Sequence, residues 1–136
     1  MKRLLTVAFC VVVFALNASA QTEARGTNSD PDKARLVTSD IDNFWRAYDL
    51  ALKETEKEKR VEIFQREYLD KGSAGLQDFV RSRMKGAKEL VETIEMLPRF
   101  YASTRRSTLR IKEMEKQIRA SFRKFKKLYP EARFPD

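Results

Sequence analysis

From Thr38 onward, apolar side chains recur at steps of three and four, the spacing that lines up one face of an α-helix. Ile41, Phe44, Trp45, Tyr48 and Leu52 form the first such face, and Thr38 or Ser39 stands where an N-cap is needed. Thr55 and Glu58 have capping-box spacing, in which hydroxyl and carboxylate each satisfy a free backbone N–H at a helix start. The helix after them is expected to bury Val61, Phe64, Tyr68 and Leu69. Gly72 reads as a left-handed stop and Ser73 as the next cap, ahead of a segment burying Leu76, Phe79 and Val80. Gly86 interrupts the line. Leu90, Val91, Ile94 and Leu97 then mark a short helix up to Pro98, which suits the first position of a new turn carrying Phe100 and Tyr101. The longest helix is predicted over 105–129, about 37 Å at ~1.5 Å per residue. Ile111, Met114, Ile118, Phe122, Phe125, Leu128 and Tyr129 keep to one stripe of it, and Pro130 ends it. The pattern predicts an all-α fold, an irregular bundle of about four to five helices.

Ahead of this region the pattern differs. Met1-Lys2-Arg3 is a short basic start, and an almost unbroken apolar run from Leu4 to Leu16 closes on Ala18-Ser19-Ala20. That is the form of a secretory signal peptide over residues 1–20, cleaved at Ala20-Gln21. The run is shorter than the ~20 residues that span a hydrocarbon core. Cys10 lies inside it behind the bulky Phe9, a poor setting for lipid attachment. Export to the periplasm or beyond is therefore expected, and the mature chain would carry no cysteine and no disulfide. Residues 21–36 are polar and aperiodic, the look of a flexible lead with few contacts. Residues 37–136 then form the helical domain.

Composition narrows the chemistry. The 136 residues are 35% charged and 42% hydrophobic, enough apolar material for one modest core, and they include no histidine. Without imidazole the commonest general bases and zinc ligands are missing, so neither an enzyme nor a cofactor is expected. Charge is uneven: residues 105–127 hold ten Lys/Arg against Glu113 and Glu115. Arg110, Lys112, Lys116, Arg119, Arg123, Lys124, Lys126 and Lys127 form a candidate face for an anionic membrane, an envelope polymer or an acidic protein, against the simpler reading of a solvated helix face. Export and the lack of aromatic residues among these charges argue against nucleic acid.

Other candidate chemistry is thin. Ser82-Arg83-Met84-Lys85 has S-x-x-K spacing but no supporting S-D-N or K-T-G motif. Asp30 with Asp32, and Asp40 with Asp42, lack the further oxygen ligands and the glycine of a calcium loop, and Asp40 and Asp42 suit the positive end of a helix. Trp45, Phe44 and Tyr48 could line a ligand groove, although their helical spacing favours core packing.

The runs Thr38-Ser39-Asp40-Ile41-Asp42-Asn43-Phe44-Trp45-Arg46-Ala47-Tyr48-Asp49 and Phe64-Gln65-Arg66-Glu67-Tyr68-Leu69-Asp70-Lys71-Gly72-Ser73, with Phe100-Tyr101-Ala102-Ser103, carry a family resemblance. Residues 37–136 resemble the front part of a bacterial family of predicted zinc-dependent proteases related to the gliding-motility lipoproteins. There a helical region precedes a section that begins near tyrosine-proline and phenylalanine-proline pairs, matched here by Tyr129-Pro130 and Phe134-Pro135. The family's His-Glu-x-x-His motif lies further on, and no residue of this chain can stand for its ligands. The resemblance implies a truncated or split member that holds the helical portion without the active site. Ile118, Phe122, Phe125 and Tyr129 would then face a C-terminal peptidase section or mediate self-association. Residues 131–136, with Phe134 and Pro135, read as the lead-in to such a section.

Overall fold

A computed structural model describes residues 26–135; the expected signal peptide, its expected cleavage site and Cys10 lie outside them. The fold is all-α. Helix α1 (Ser39–Ala51) leads to α2 (Lys57–Phe64), which runs on through a π-helical turn over Gln65–Leu69. Helix α3 (Ala74–Phe79) ends in a second π turn, Val80–Met84, and α4 (Ala87–Met96) reaches the bend before Pro98. Helix α5 (Pro98–Leu109), a 3-10 stretch (Arg110–Met114) and α6 (Glu115–Leu128) follow without a break as one rod. Two residues at each end, β1 (Thr27–Asn28) and β2 (Phe134–Pro135), pair antiparallel with Thr27 opposite Pro135.

The main core is built on α2 and its π turn, with α1 packed on one side and α4 on the other, and α3 adding Leu76. Trp45, Tyr48, Phe64, Tyr68, Leu69, Leu76, Leu90 and Val91 are its large buried side chains. Ala47 and Ala51 are buried between α1 and its neighbours, where small residues let backbones come close. The π turns shift the helical register, as the 2.8 Å bond from Asp70 N–H to Gln65 C=O and the 3.1 Å bond from Lys85 N–H to Val80 C=O record. The first turn lets Phe64, Tyr68 and Leu69 all face inward. At the end of α3, Phe79 is 51% exposed, so its expected burial does not hold. Leu52 is 68% exposed because α1 stops at Ala51, and Leu97 and Phe100, flanking the bend at Pro98, also face solvent.

Local signals are met unevenly. Ser73 does cap α3, its Oγ accepting the Leu76 N–H at 3.2 Å, and Pro98 does open α5. No capping box forms at Thr55: Glu56 is the cap position, without a side-chain bond, and Arg60 Nη1 donates to the Glu54 and Thr55 carbonyls at 3.0 and 2.9 Å. Gly72 is not left-handed. Its role is close approach, since a Cβ there would meet Leu76 Cδ2 at 2.6 Å and the Leu69 carbonyl oxygen at 3.0 Å. The left-handed stop falls at Lys85, φ 65°, followed by Gly86 at φ 147°.

A second, smaller core ties the two ends of the described chain together. Ala34, Ala132 and Phe134 are buried there, with Phe122 packed against them. The polar lead therefore makes more contacts than expected from Thr27 on, and Phe134 turns inward instead of leading outward. Its ring lies 5.3 Å from that of Phe122. Phe64→Ala should lower stability in urea unfolding by about 3–5 kcal/mol, the range for truncating a buried phenylalanine. Phe100→Ala, at an exposed ring, should stay within about 0.5 kcal/mol of the parent.

Candidate functional site

The basic face predicted on the last helix is divided by the fold into paired and unpaired charges. Arg119 Nη1 donates to the carbonyls of Asp32 and Ala34 at 2.8 and 3.0 Å, while its Nη2 holds Glu115 at 2.8 Å. Arg123 Nε donates to Asp32 Oδ1 at 2.8 Å. Lys126 Nζ reaches the Pro130 and Ala132 carbonyls at 2.6 and 2.8 Å, satisfying acceptors just past the helix end. Lys112 pairs with Asp42 of α1 at 2.7 Å, and Arg110 with Glu113 at 2.8 Å. Five of the eight candidates thus bind this chain itself, leaving Lys116, Lys124 and Lys127 without a partner among the described residues.

The apolar stripe is divided in the same way. Ile118 and Phe122 are half-buried, Phe122 within the small core. Past them the end of α6 is bare: Phe125 is 53%, Leu128 85% and Tyr129 56% exposed, with the Phe125 and Tyr129 rings stacked at 6.1 Å. Among the described residues no helix is long and apolar enough to cross a membrane.

The other candidates do not assemble. Ser82 Oγ donates to the Asp78 carbonyl at 2.8 Å, and no bond joins it to Lys85. Asp30 accepts the Asp32 N–H at 2.9 Å, Asp32 goes to Arg123 and Asp42 to Lys112. Among the described residues no group of three potential metal ligands converges.

A concave feature lies between α1 and α5, with Tyr68 of the first π turn in its wall. Asp40, Ile41, Phe44, Trp45, Tyr68, Tyr101, Thr104 and Thr108 line a cleft of about 260 Å³. Trp45 and Tyr48 are core residues, as their spacing suggested, but the half-buried Phe44 and Tyr101 border open space. Trp45 Nε1 donates to Thr108 Oγ1 at 2.9 Å, and Arg105 stands 5.0 Å over the indole while making two bonds to Asp49 at 2.6 and 2.7 Å. Asp40 accepts from both the backbone N–H and the hydroxyl of Ser73. Burial, with the Asp40 charge adding to it, pushes the Tyr68 phenol up to about 12. The periodicity located the aromatic residues of this cleft. The meeting of Asp40 with Tyr68 and Tyr101 is set by the α1–α5 crossing and left no mark in local spacing.

Comparison of the chain with protein-family models, with curated proteins and with solved structures finds no match.

The hydrogen bond from Arg123 holds the Asp32 carboxyl below its ordinary 3.8. The tie between the N-terminal segment and α6 is then fully present above that ordinary value and weakens as pH falls through the lowered one. Asp32→Asn should loosen the segment at neutral pH, visible as weakened Phe122–Phe134 ring contacts in nuclear Overhauser spectra, whereas in the parent those contacts weaken only as pH falls below the ordinary carboxyl value.

Proposed function

We propose that the chain is an exported, non-catalytic helical docking module, comparable to the front portion of a zinc-dependent peptidase that the sequence resembles. The observation that carries this reading is the bare end of α6. Phe125, Leu128 and Tyr129 lie together past the last contact of the stripe with the small core, and an apolar tip of this kind favours a covering protein surface. The composition supports a non-catalytic role, because histidine is missing from the whole chain and Cys10 is its one thiol. The engagement of Ser82 with a backbone carbonyl supports it further. In this reading the main core supplies a rigid body, the rod projects from it, and the tip meets a peptidase-like section.

The unpaired Lys116, Lys124 and Lys127 favour a second reading, in which the same tip settles on an anionic surface, with lysines contributing about 1 kcal/mol each near such a surface. The two readings separate experimentally. Protein docking predicts that chain 21–136 binds an apolar-sensing dye and self-associates in sedimentation velocity. Phe125→Ser with Leu128→Ser should abolish most of both while changing stability by no more than about 0.5 kcal/mol per site. A monomer indifferent to the dye would refute this. Anionic-surface binding predicts salt-sensitive adsorption to phosphatidylglycerol vesicles that Lys116→Gln, Lys124→Gln and Lys127→Gln together remove.

A further inference from the structure

We propose that the bare end of α6, read above as a protein-docking tip, seats in a groove on a second copy of this chain, an assignment that rests on that reading. The groove lies where α1 ends and α4 bends into α5. Buried Tyr48, Phe64 and Val91 line it from the core side, and Leu52, Ile94 and Pro98 line it nearer the solvent, around a space of about 280 Å³. Leu52 is 68% exposed, and Met96 and Leu97, the two residues before Pro98, are 71% and 50% exposed. Apolar side chains gathered about a concavity, rather than scattered singly, mark an interaction surface.

The tip matches this groove in chemistry. Phe125, Leu128 and Tyr129 are the exposed apolar groups that need cover, and the space is at the low end of the range for ligand pockets, sized for side chains and not for a whole helix. Charge agrees with this. Lys124 and Lys127 flank the tip residues with no partner among the described residues, while the groove is lined by Glu54 and Glu95 against Arg60 alone. Glu95 already holds Arg60 at 2.7 Å, and the Glu54 carboxylate makes no bond among the described residues. A free carboxylate thus stands ready for a free ammonium, a match that sets partner and orientation more than affinity.

Reach decides which molecule supplies the tip. Pro98 lines the groove and opens the rod that ends at Leu128, so the two surfaces lie about 45 Å apart at ~1.5 Å per residue. A chain cannot fill its own groove. Two copies laid antiparallel satisfy both contacts at once, and copies in series leave one tip and one groove open at the ends. A lipid surface would cover the tip and leave the groove bare.

Chain 21–136, which keeps every described residue, tests this in sedimentation velocity with two variants. Phe125→Ser with Leu128→Ser removes the tip, and Leu52→Ser with Glu54→Lys alters the groove outside the buried core, so melting by circular dichroism should match the parent. Each variant alone should be monomeric where the parent associates. Mixed in equal amounts they should form a dimer and nothing larger, because each pair then contains one intact tip and one intact groove. Residues 21–136 contain no cysteine, so Leu52→Cys and Leu128→Cys chains give a second measurement that disrupts neither surface. Mixed and oxidised, they should form the mixed disulfide in excess over the Leu128→Cys homodimer. A groove variant that associates as the parent does, a mixture that stays monomeric, or an excess of that homodimer would overturn the tip-in-groove contact and leave the docking reading standing. A monomeric parent indifferent to the apolar-sensing dye would remove both.

Discussion

The ring of Phe44 is the point on which the rest of the architecture is hung. It sits between Trp45 and Tyr48 of its own helix, Phe64 and Tyr68 of α2 and its π turn, and Tyr101 of α5, with all five centroids within 6.2 Å. Aromatic pairs at such separations contribute about 0.5–1.5 kcal/mol each beyond the area they bury. One side chain thereby couples three parts of the chain. The crossing of α5 over α1 is then pinned by polar contacts that require the rings to be in register: the Trp45–Thr108 bond and the two-pronged Arg105–Asp49 pair. If the aromatic seam moved, the rod from Pro98 to Leu128 would lose its angle to the body, and the small core would lose its place.

The basic helix shows how charge can serve a fold that has little else to staple it. Residues 26–135 contain no cysteine, and their one strand pairing is two residues long. The segment before α1 has few apolar side chains, and its backbone carbonyls need donors. Arg119 supplies them to Asp32 and Ala34 from a single fork, and Arg123 adds a charge-assisted bond to the Asp32 carboxylate. At the other end, Arg133 donates to the Thr27 carbonyl and hydroxyl at 2.7 and 2.8 Å. Part of the large positive count is thus spent on the fold itself, since five of the eight candidate basic residues on the last helix are tied to other groups of this chain.

The helices were legible because their periodicity reflects burial on one side of a regular element, and tertiary packing reinforced it at Phe44, Phe64, Leu90 and Val91. The sequence was less informative wherever two backbone states satisfy the same residues. Gly72 could be a left-handed stop or a point of close approach, and only the position of Leu76 decides for the second. Thr55 could cap α2, but the helix starts one residue later, so the cap position falls on Glu56. The π turns carry no glycine or proline, so nothing in Gln65–Leu69 or Val80–Met84 announces the register shift. Phe134 read as an outward lead because its partners, Ala34 and Phe122, are remote in sequence. For the candidate sites the same limit applies: the basic residues were visible, but the carboxylates and carbonyls that occupy five of the eight were not.

The rod also fixes how the cleft and the bare tip relate. Tyr101 borders the cleft and Phe125 opens the bare tip, and both stand on the continuous stretch from Pro98 to Leu128. Its hydrogen-bond ladder tightens at Arg110–Met114, a stretch with neither glycine nor proline, so the change of pitch has no local cause in the sequence. Packing accounts for it. Ile111 is half-buried beside Leu36 and Ile41, and Lys112 reaches Asp42, which holds this part of the rod to α1 and to the segment before it. A 3-10 stretch within a long helix is a preferred place for bending. The orientation of the tip relative to the body therefore depends on the same α1 contacts that build the cleft, so neither surface can shift freely while the Phe44 seam stays closed.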